Sequence, residues 1–107
     1  MTVARRDGIA AIKRKVTGGP SNGGTYETLA QTVGGAVIRP GEWVTAQGRI
    51  VTTPEGVLIE MALDGQPVVA VMDRGELGEL LTGPGRVGVR GDNTEFTLDD
   101  LSVVPER

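Results

Sequence analysis

Histidine and cysteine are both absent from these 107 residues. Without cysteine there is no disulfide framework and no thiolate chemistry, and redox compartment cannot be read from the chain. Without histidine, Ser-His-Asp and Cys-His catalysis are excluded, together with any His-based zinc site. Aromatic residues number three, Tyr26, Trp43 and Phe96, so flat stacking platforms are scarce. No apolar run approaches the roughly 18–20 residues that carry a helix across a bilayer, and a membrane is not an expected partner. The first seven residues lack the apolar core of a signal peptide, so the chain as written is expected to be cytoplasmic, or secreted as part of a larger protein.

Helical periodicity is nearly absent as well, while strand signals recur from end to end. Seventeen glycines and six prolines, with frequent Val and Thr, suit many short strands separated by tight turns. The length fits a single domain over residues 1–107, large enough to bury a core, with no internal repeat and no linker. Strands are expected at 2–6 and 9–16 around the hairpin pair Asp7-Gly8, and at 25–33 after a glycine-rich loop at 17–24. Further strands are expected at 43–52 after Pro40-Gly41, at 57–63, and at 67–72 beyond Asp64-Gly65. An irregular stretch follows from 73 to 84, in which only Glu76–Leu81 offers a weak helical turn. Two more extended segments, joined at Gly91-Asp92-Asn93, close the chain between 85 and 103.

The middle three strands can be checked against one another. A four-residue turn at Thr53-Pro54-Glu55-Gly56 sets Ile50 opposite Ile59, Gly48 opposite Met61 and Ala46 opposite Leu63 on one side of the sheet. Small residues then meet large ones, and the same register sets Arg49 against Glu60 on the other side. In the last segment Phe96 and Leu98 share one parity, whereas Leu101 and Val103 share the other. A β-bulge at Asp99-Asp100 is expected to return both pairs to one apolar face and to re-aim a carboxylate, with Phe96 in the core.

These segments carry a resemblance. Gly85-Arg-Val-Gly-Val-Arg90 leading into Phe96-x-Leu-Asp-Asp-Leu-x-Val103 is similar to the closing hairpin of concanavalin A-like (laminin-G-like) jelly-roll domains. Gly41-Glu42-Trp43 followed by Ile59-x-Met61-x-Leu63-Asp64-Gly65 resembles the core meander of that superfamily. Residues 3–15 resemble its central hairpin. The resemblance implies an all-β antiparallel β-sandwich of about eight strands. Relatives of this kind usually have several strands before the segment matched here at Met1, so the chain is expected to cover the latter part of such a jelly roll. A sandwich short of its first strands would be completed by self-association or by a partner chain.

The function that the resemblance implies is non-catalytic carbohydrate binding, with a structural calcium on a last-strand Asp, here Asp99 or Asp100. Calcium takes several oxygen ligands, and two adjacent carboxylates provide part of such a shell; the plainer alternative is that both are solvated or pair locally. Sugars pair an apolar ring face with an aromatic platform, which points to Trp43 and Tyr26. Trp43 begins the parity of Thr45, Gln47 and Arg49, so a polar groove of Trp43, Gln47, Arg49 and Glu60 is the expected ligand surface; the alternative is a Trp that seals the rim. Arg14 shares the parity of Ala10, Ile12 and Val16 and serves either as an anion anchor or in a buried ion pair. A keto-glycoside hydrolase-like enzyme stands third, with Glu27 and Glu60 as the acids on central strands.

The charge is unevenly distributed. Residues 1–16 carry Arg5, Arg6, Lys13, Arg14 and Lys15 against Asp7, a local balance of +4 that leaves −7 on the rest of a chain whose total is −3. That total argues against general nucleic-acid affinity, whereas the basic hairpin would suit an anionic polymer such as an acidic glycan. The plainer reading is a solvated strand face, because no aromatic lies among these charges. Arg90-Gly91-Asp92 spells an adhesion tripeptide, but Gly91-Asp92-Asn93 has a sufficient reason in turn chemistry.

Overall fold

A computed structural model of the chain describes residues 2–4, 7–19, 23–32, 38–89, 91 and 95–105. Among the described residues, six antiparallel strands form two three-stranded sheets: β1 (Thr2–Ala4), β2 (Ala10–Lys15) and β3 (Tyr26–Gln31) in the first, β4 (Ala46–Thr53), β5 (Gly56–Leu63) and β6 (Gln66–Asp73) in the second. No helix occurs among the described residues. Each sheet is a meander, because every connection within it joins sequence neighbours.

Turn chemistry sets the second sheet. Asp64 and Gly65 both take positive φ, 49° and 78°, closing a two-residue loop between the paired residues Leu63 and Gln66. That conformation matches the twist of the strands it joins. The turn before it pairs Thr53 with Gly56, and the Thr53 hydroxyl accepts the Glu55 N–H and donates to the Gly56 carbonyl. The resulting register sets Ile50 on Ile59, Gly48 on Met61, Ala46 on Leu63 and Arg49 on Glu60, as the sequence predicts. Upstream, the Glu42 N–H reaches the Arg39 carbonyl across Pro40-Gly41, with Gly41 at φ 79°, the Pro-Gly pattern of a type II turn.

The first sheet folds around Asp7-Gly8, where Asp7 Oδ1 accepts the Ile9 N–H and Gly8 has φ 84°. β1 covers the first three residues of the strand expected at 2–6, and Arg5 and Arg6 lie outside the described residues. β2 pairs with β3 through a register shift between Ile12 and Lys13 that leaves Leu29 as the extra residue of β3. Such a shift bends and twists a strand pair locally.

The sheets meet face to face, with β2 and β3 against β6. The core consists of Ala10 and Ile12 from one side and Met61, Leu63 and Val69 from the other, flanked by Leu29, Ala30, Val44, Ile59 and Val71. Ile12 is the one large side chain that is fully buried among the described residues. β4 lies beyond β5, away from β6, and its inward-parity residues Ala46, Gly48 and Ile50 are exposed.

Residues 74–89, 91 and 95–105 form turns and irregular backbone, with no strand among them. The two closing strands expected between 85 and 103 are therefore not formed in the described residues; Arg90 and residues 92–94 lie outside them. Phe96, expected in the core, is 53% exposed, and Leu98, Leu101 and Val103 are exposed as well. The physical reason is that an alternating apolar segment becomes a strand only when a sheet edge takes up its backbone groups. Asp100 does carry the left-handed φ of 54°, with its N–H donated to Asp99 Oδ1, so the chain bends where the parity changes without a ladder around it.

Candidate functional site

Residues of both sheets line a cleft of about 340 Å³. Its apolar lining is Leu29, Ile50, Val57, Ile59 and Leu81, and its polar lining is Lys13, Arg14, Lys15, Tyr26 and Asp73. Leu29 is the extra residue of β3, and the twist at that shift explains how three consecutive residues of β2 all reach one cleft. Tyr26 pairs with Lys15 across the ladder, and the Lys15 ammonium sits 5.8 Å from the ring centroid, within cation–π range. Lys15 Nζ also donates to the Gly19 carbonyl at 2.9 Å.

Arg14 and Asp73 close one wall of the cleft. Arg14 Nη1 lies 3.3 Å from Asp73 Oδ2, with the side chains only 10% and 5% exposed. The same guanidinium donates to the carbonyls of Gly78 and Glu79. Asp73 Oδ1 accepts the Gly75 N–H at 2.9 Å, so both carboxylate oxygens are occupied. Of the two expected roles of Arg14, the ion pair is present, and it ties β2 to the end of β6 and to the segment after it.

The remaining expected ligand residues do not join this cleft. Arg49 and Glu60 form an ion pair at 3.1 Å, 42% and 39% exposed, on the opposite face of the second sheet. Gln47 shares their parity on β4 and is exposed. Trp43 precedes β4 and is 71% exposed, while its neighbour Val44 packs on the core. Gln47, Arg49 and Glu60 thus share one exposed face of the second sheet, whereas Tyr26 and Arg14 line the cleft. Glu27 and Glu60, the acids of the enzyme reading, stand on different sheets. Asp99 and Asp100 are exposed in the C-terminal segment. Among the described residues no group of three or more metal-ligating side chains gathers.

Sequence reasoning missed Leu29, Ile50, Leu81 and Asp73 as cleft residues. Asp73 shares the parity of Val69 and Val71 on β6, and an acid on an inward row is the signal that would have found it. Leu29 is hidden by the register shift. Comparison with known proteins yields no match, whether to a family model, a curated protein or a solved structure.

Proposed function

We propose that this chain is a non-catalytic carbohydrate-binding module, of the concanavalin A-like jelly-roll type that its motifs resemble, with its saccharide in the cleft at Tyr26. The observation that carries this reading is the cleft itself, where one aromatic ring stands among apolar walls and a few convergent polar groups. A pyranose presents an apolar face to a ring and hydroxyls to hydrogen-bonding groups, and small-ligand sites have this mixed character. Two packed antiparallel sheets are compatible with the jelly-roll resemblance. The structural calcium that accompanies it belongs to the same proposal, and no step depends on it. Titration with oligosaccharides tests the reading. Tyr26→Ala should abolish retention with the fold intact, and Trp43→Ala, outside the cleft lining, should not. Equal binding by the Tyr26 variant would refute the site.

A second reading, a structural or assembly domain, is favoured by one specific observation. Val87, Val89, Phe96, Leu98, Leu101, Val103 and Val104 are each more than half exposed, an apolar display typical of association surfaces. β4 also offers an outer edge with no strand paired to it among the described residues. Light scattering tests this, with and without a chelator. A dimer that Val51→Lys dissociates would support it, and a monomer at all concentrations would end it.

A further inference from the structure

β4 carries a glycine that nothing among the described residues requires. Gly48 sits mid-strand, outside the left-handed region, and a Cβ added there would meet nothing within 4 Å. A glycine inside a strand weakens it and often marks a place where another backbone approaches closely. The row it belongs to points the same way. On β5, Met61, Leu63 and Val57 are buried, whereas their partners on β4, Gly48, Ala46 and Thr52, are exposed, and Ile50 is 62% exposed. The core face thus runs on from β5 to β4 and ends there in the open. Among the described residues no strand pairs with the outer edge of β4.

The C-terminal segment has the complementary pattern. Phe96, Leu98, Leu101 and Val103 are each more than half exposed, and between them Asp100 takes its left-handed φ of 54°. A residue in that conformation, which Asp tolerates, lets a bulge carry a strand through a change of parity. Set antiparallel to β4, with Asp99-Asp100 bulged opposite Gln47, residues 96–103 match residues 44–50 throughout. Phe96 falls beside Ile50, Leu98 beside Gly48, Leu101 beside Ala46 and Val103 beside Val44, itself packed on the core. Every apolar residue of the segment then extends the row of Ile59, Met61 and Leu63, while Thr97 and Ser102 fall on the row of Arg49. Large side chains meet the small ones of β4, as they do between β4 and β5.

We infer that residues 96–103 of a second copy of this chain add as an antiparallel strand to the outer edge of β4, in a reciprocal pair. This rests on the assembly reading and names the partner of that edge. The second copy follows from the chain itself. Each molecule carries one such segment and one such edge, so a two-fold pair covers both edges at once. Roughly 15 residues a side enter the pair, approaching the roughly 20 a side of a standard interface. Main-chain hydrogen bonds add to the apolar contact, as in other cases of strand addition.

The test uses the full chain, whose lack of cysteine gives a clean background for cross-linking. Gly48→Cys and Leu98→Cys proteins are mixed and oxidised, and the disulfide joining the two variants, identified by mass, can form only between copies. Directly opposed strand residues lie within disulfide reach, so this link should form at least about 10-fold faster than one between Leu98→Cys and Ala70→Cys, on the far edge strand β6. In parallel, light scattering compares the wild type with Gly48→Lys and with Leu98→Ser/Leu101→Ser. All three positions are exposed, so circular dichroism should show the fold intact. The dimer dissociation constant should rise at least about 30-fold in each, because an inward charge on the edge or the loss of two apolar contacts opposes the added strand. A dimer that withstands both changes, or that links no faster at Gly48 than at Ala70, would overturn the strand addition and leave the assembly reading standing. A monomer at all concentrations would overturn both, and a disulfide closing within single chains of Gly48→Cys/Leu98→Cys would then place the strand in its own molecule.

Discussion

Replacing Asp73 with Ala removes the counter-charge of a guanidinium that is only 10% exposed, together with the acceptor for the Gly75 N–H. Breaking a buried ion pair from one side costs about 3–5 kcal/mol, because the surviving charge stays buried without a partner. Here Arg14 keeps the carbonyls of Gly78 and Glu79, which compensate part of that charge, so the expected loss is about 2–3 kcal/mol. Against a domain stability of about 5–15 kcal/mol, and with a core in which Ile12 is the one large side chain fully buried among the described residues, that is a large fraction. Arg14→Met alone strands the carboxylate instead and should cost a similar amount. The double variant removes both charges and should cost clearly less than the two singles added, with a coupling of about 1.5–3 kcal/mol. Urea unfolding followed by circular dichroism measures all four corners of this cycle, and an unchanged denaturant slope keeps the comparison valid. Single-variant losses below about 0.5 kcal/mol, or strict additivity, would refute the argument that this pair fastens β2 to the end of β6.

Three further outcomes follow from the same geometry. Gly56→Ala should destabilise by about 2–4 kcal/mol in urea unfolding, because the backbone there has φ 149° and an added Cβ would meet the Asp73 carbonyl oxygen at 2.3 Å. A wild-type midpoint would show that the turn takes another conformation. Glu60→Gln should cost less than about 1 kcal/mol, since its partner Arg49 and Glu60 itself are well exposed, and it should leave saccharide affinity unchanged because neither lines the cleft; altered affinity would move the site to the face of Arg49 and Glu60. Phe96→Ser should leave monomer stability within about 0.5 kcal/mol, as expected for a ring more than half in solvent; a loss above about 2 kcal/mol would put Phe96 in the core.

The second sheet was legible because everything that defines it is local. Asp64-Gly65 and Thr53–Gly56 specify two short turns, and once the turns are set the pairing of Arg49 with Glu60 and Gly48 with Met61 is a matter of counting. The cleft was not legible, for two reasons. β2 and β3 are joined by a long glycine-rich loop that sets no register, and a register shift at Leu29 then breaks the count. Ile50 and Leu81 reach the cleft only through the packing of one sheet on the other. The C-terminal segment shows the opposite failure. Its alternation at Phe96 and Leu98 and its change of parity at Asp99-Asp100 read as a bulged strand, but strand formation needs an edge, and in this chain none is paired with it among the described residues.

Composition and turn chemistry by themselves determined that this chain is all-β and antiparallel, because those properties follow from residues within a few positions of one another. Only the tertiary structure decided which polar residues share a site. It joined Arg14 to Asp73, put Tyr26 beside Lys15, and left the ion pair of Arg49 and Glu60 on the other face. A site is a matter of distances across strands and sheets, and the local patterns that specify the strands do not encode how far apart the sheets come to rest.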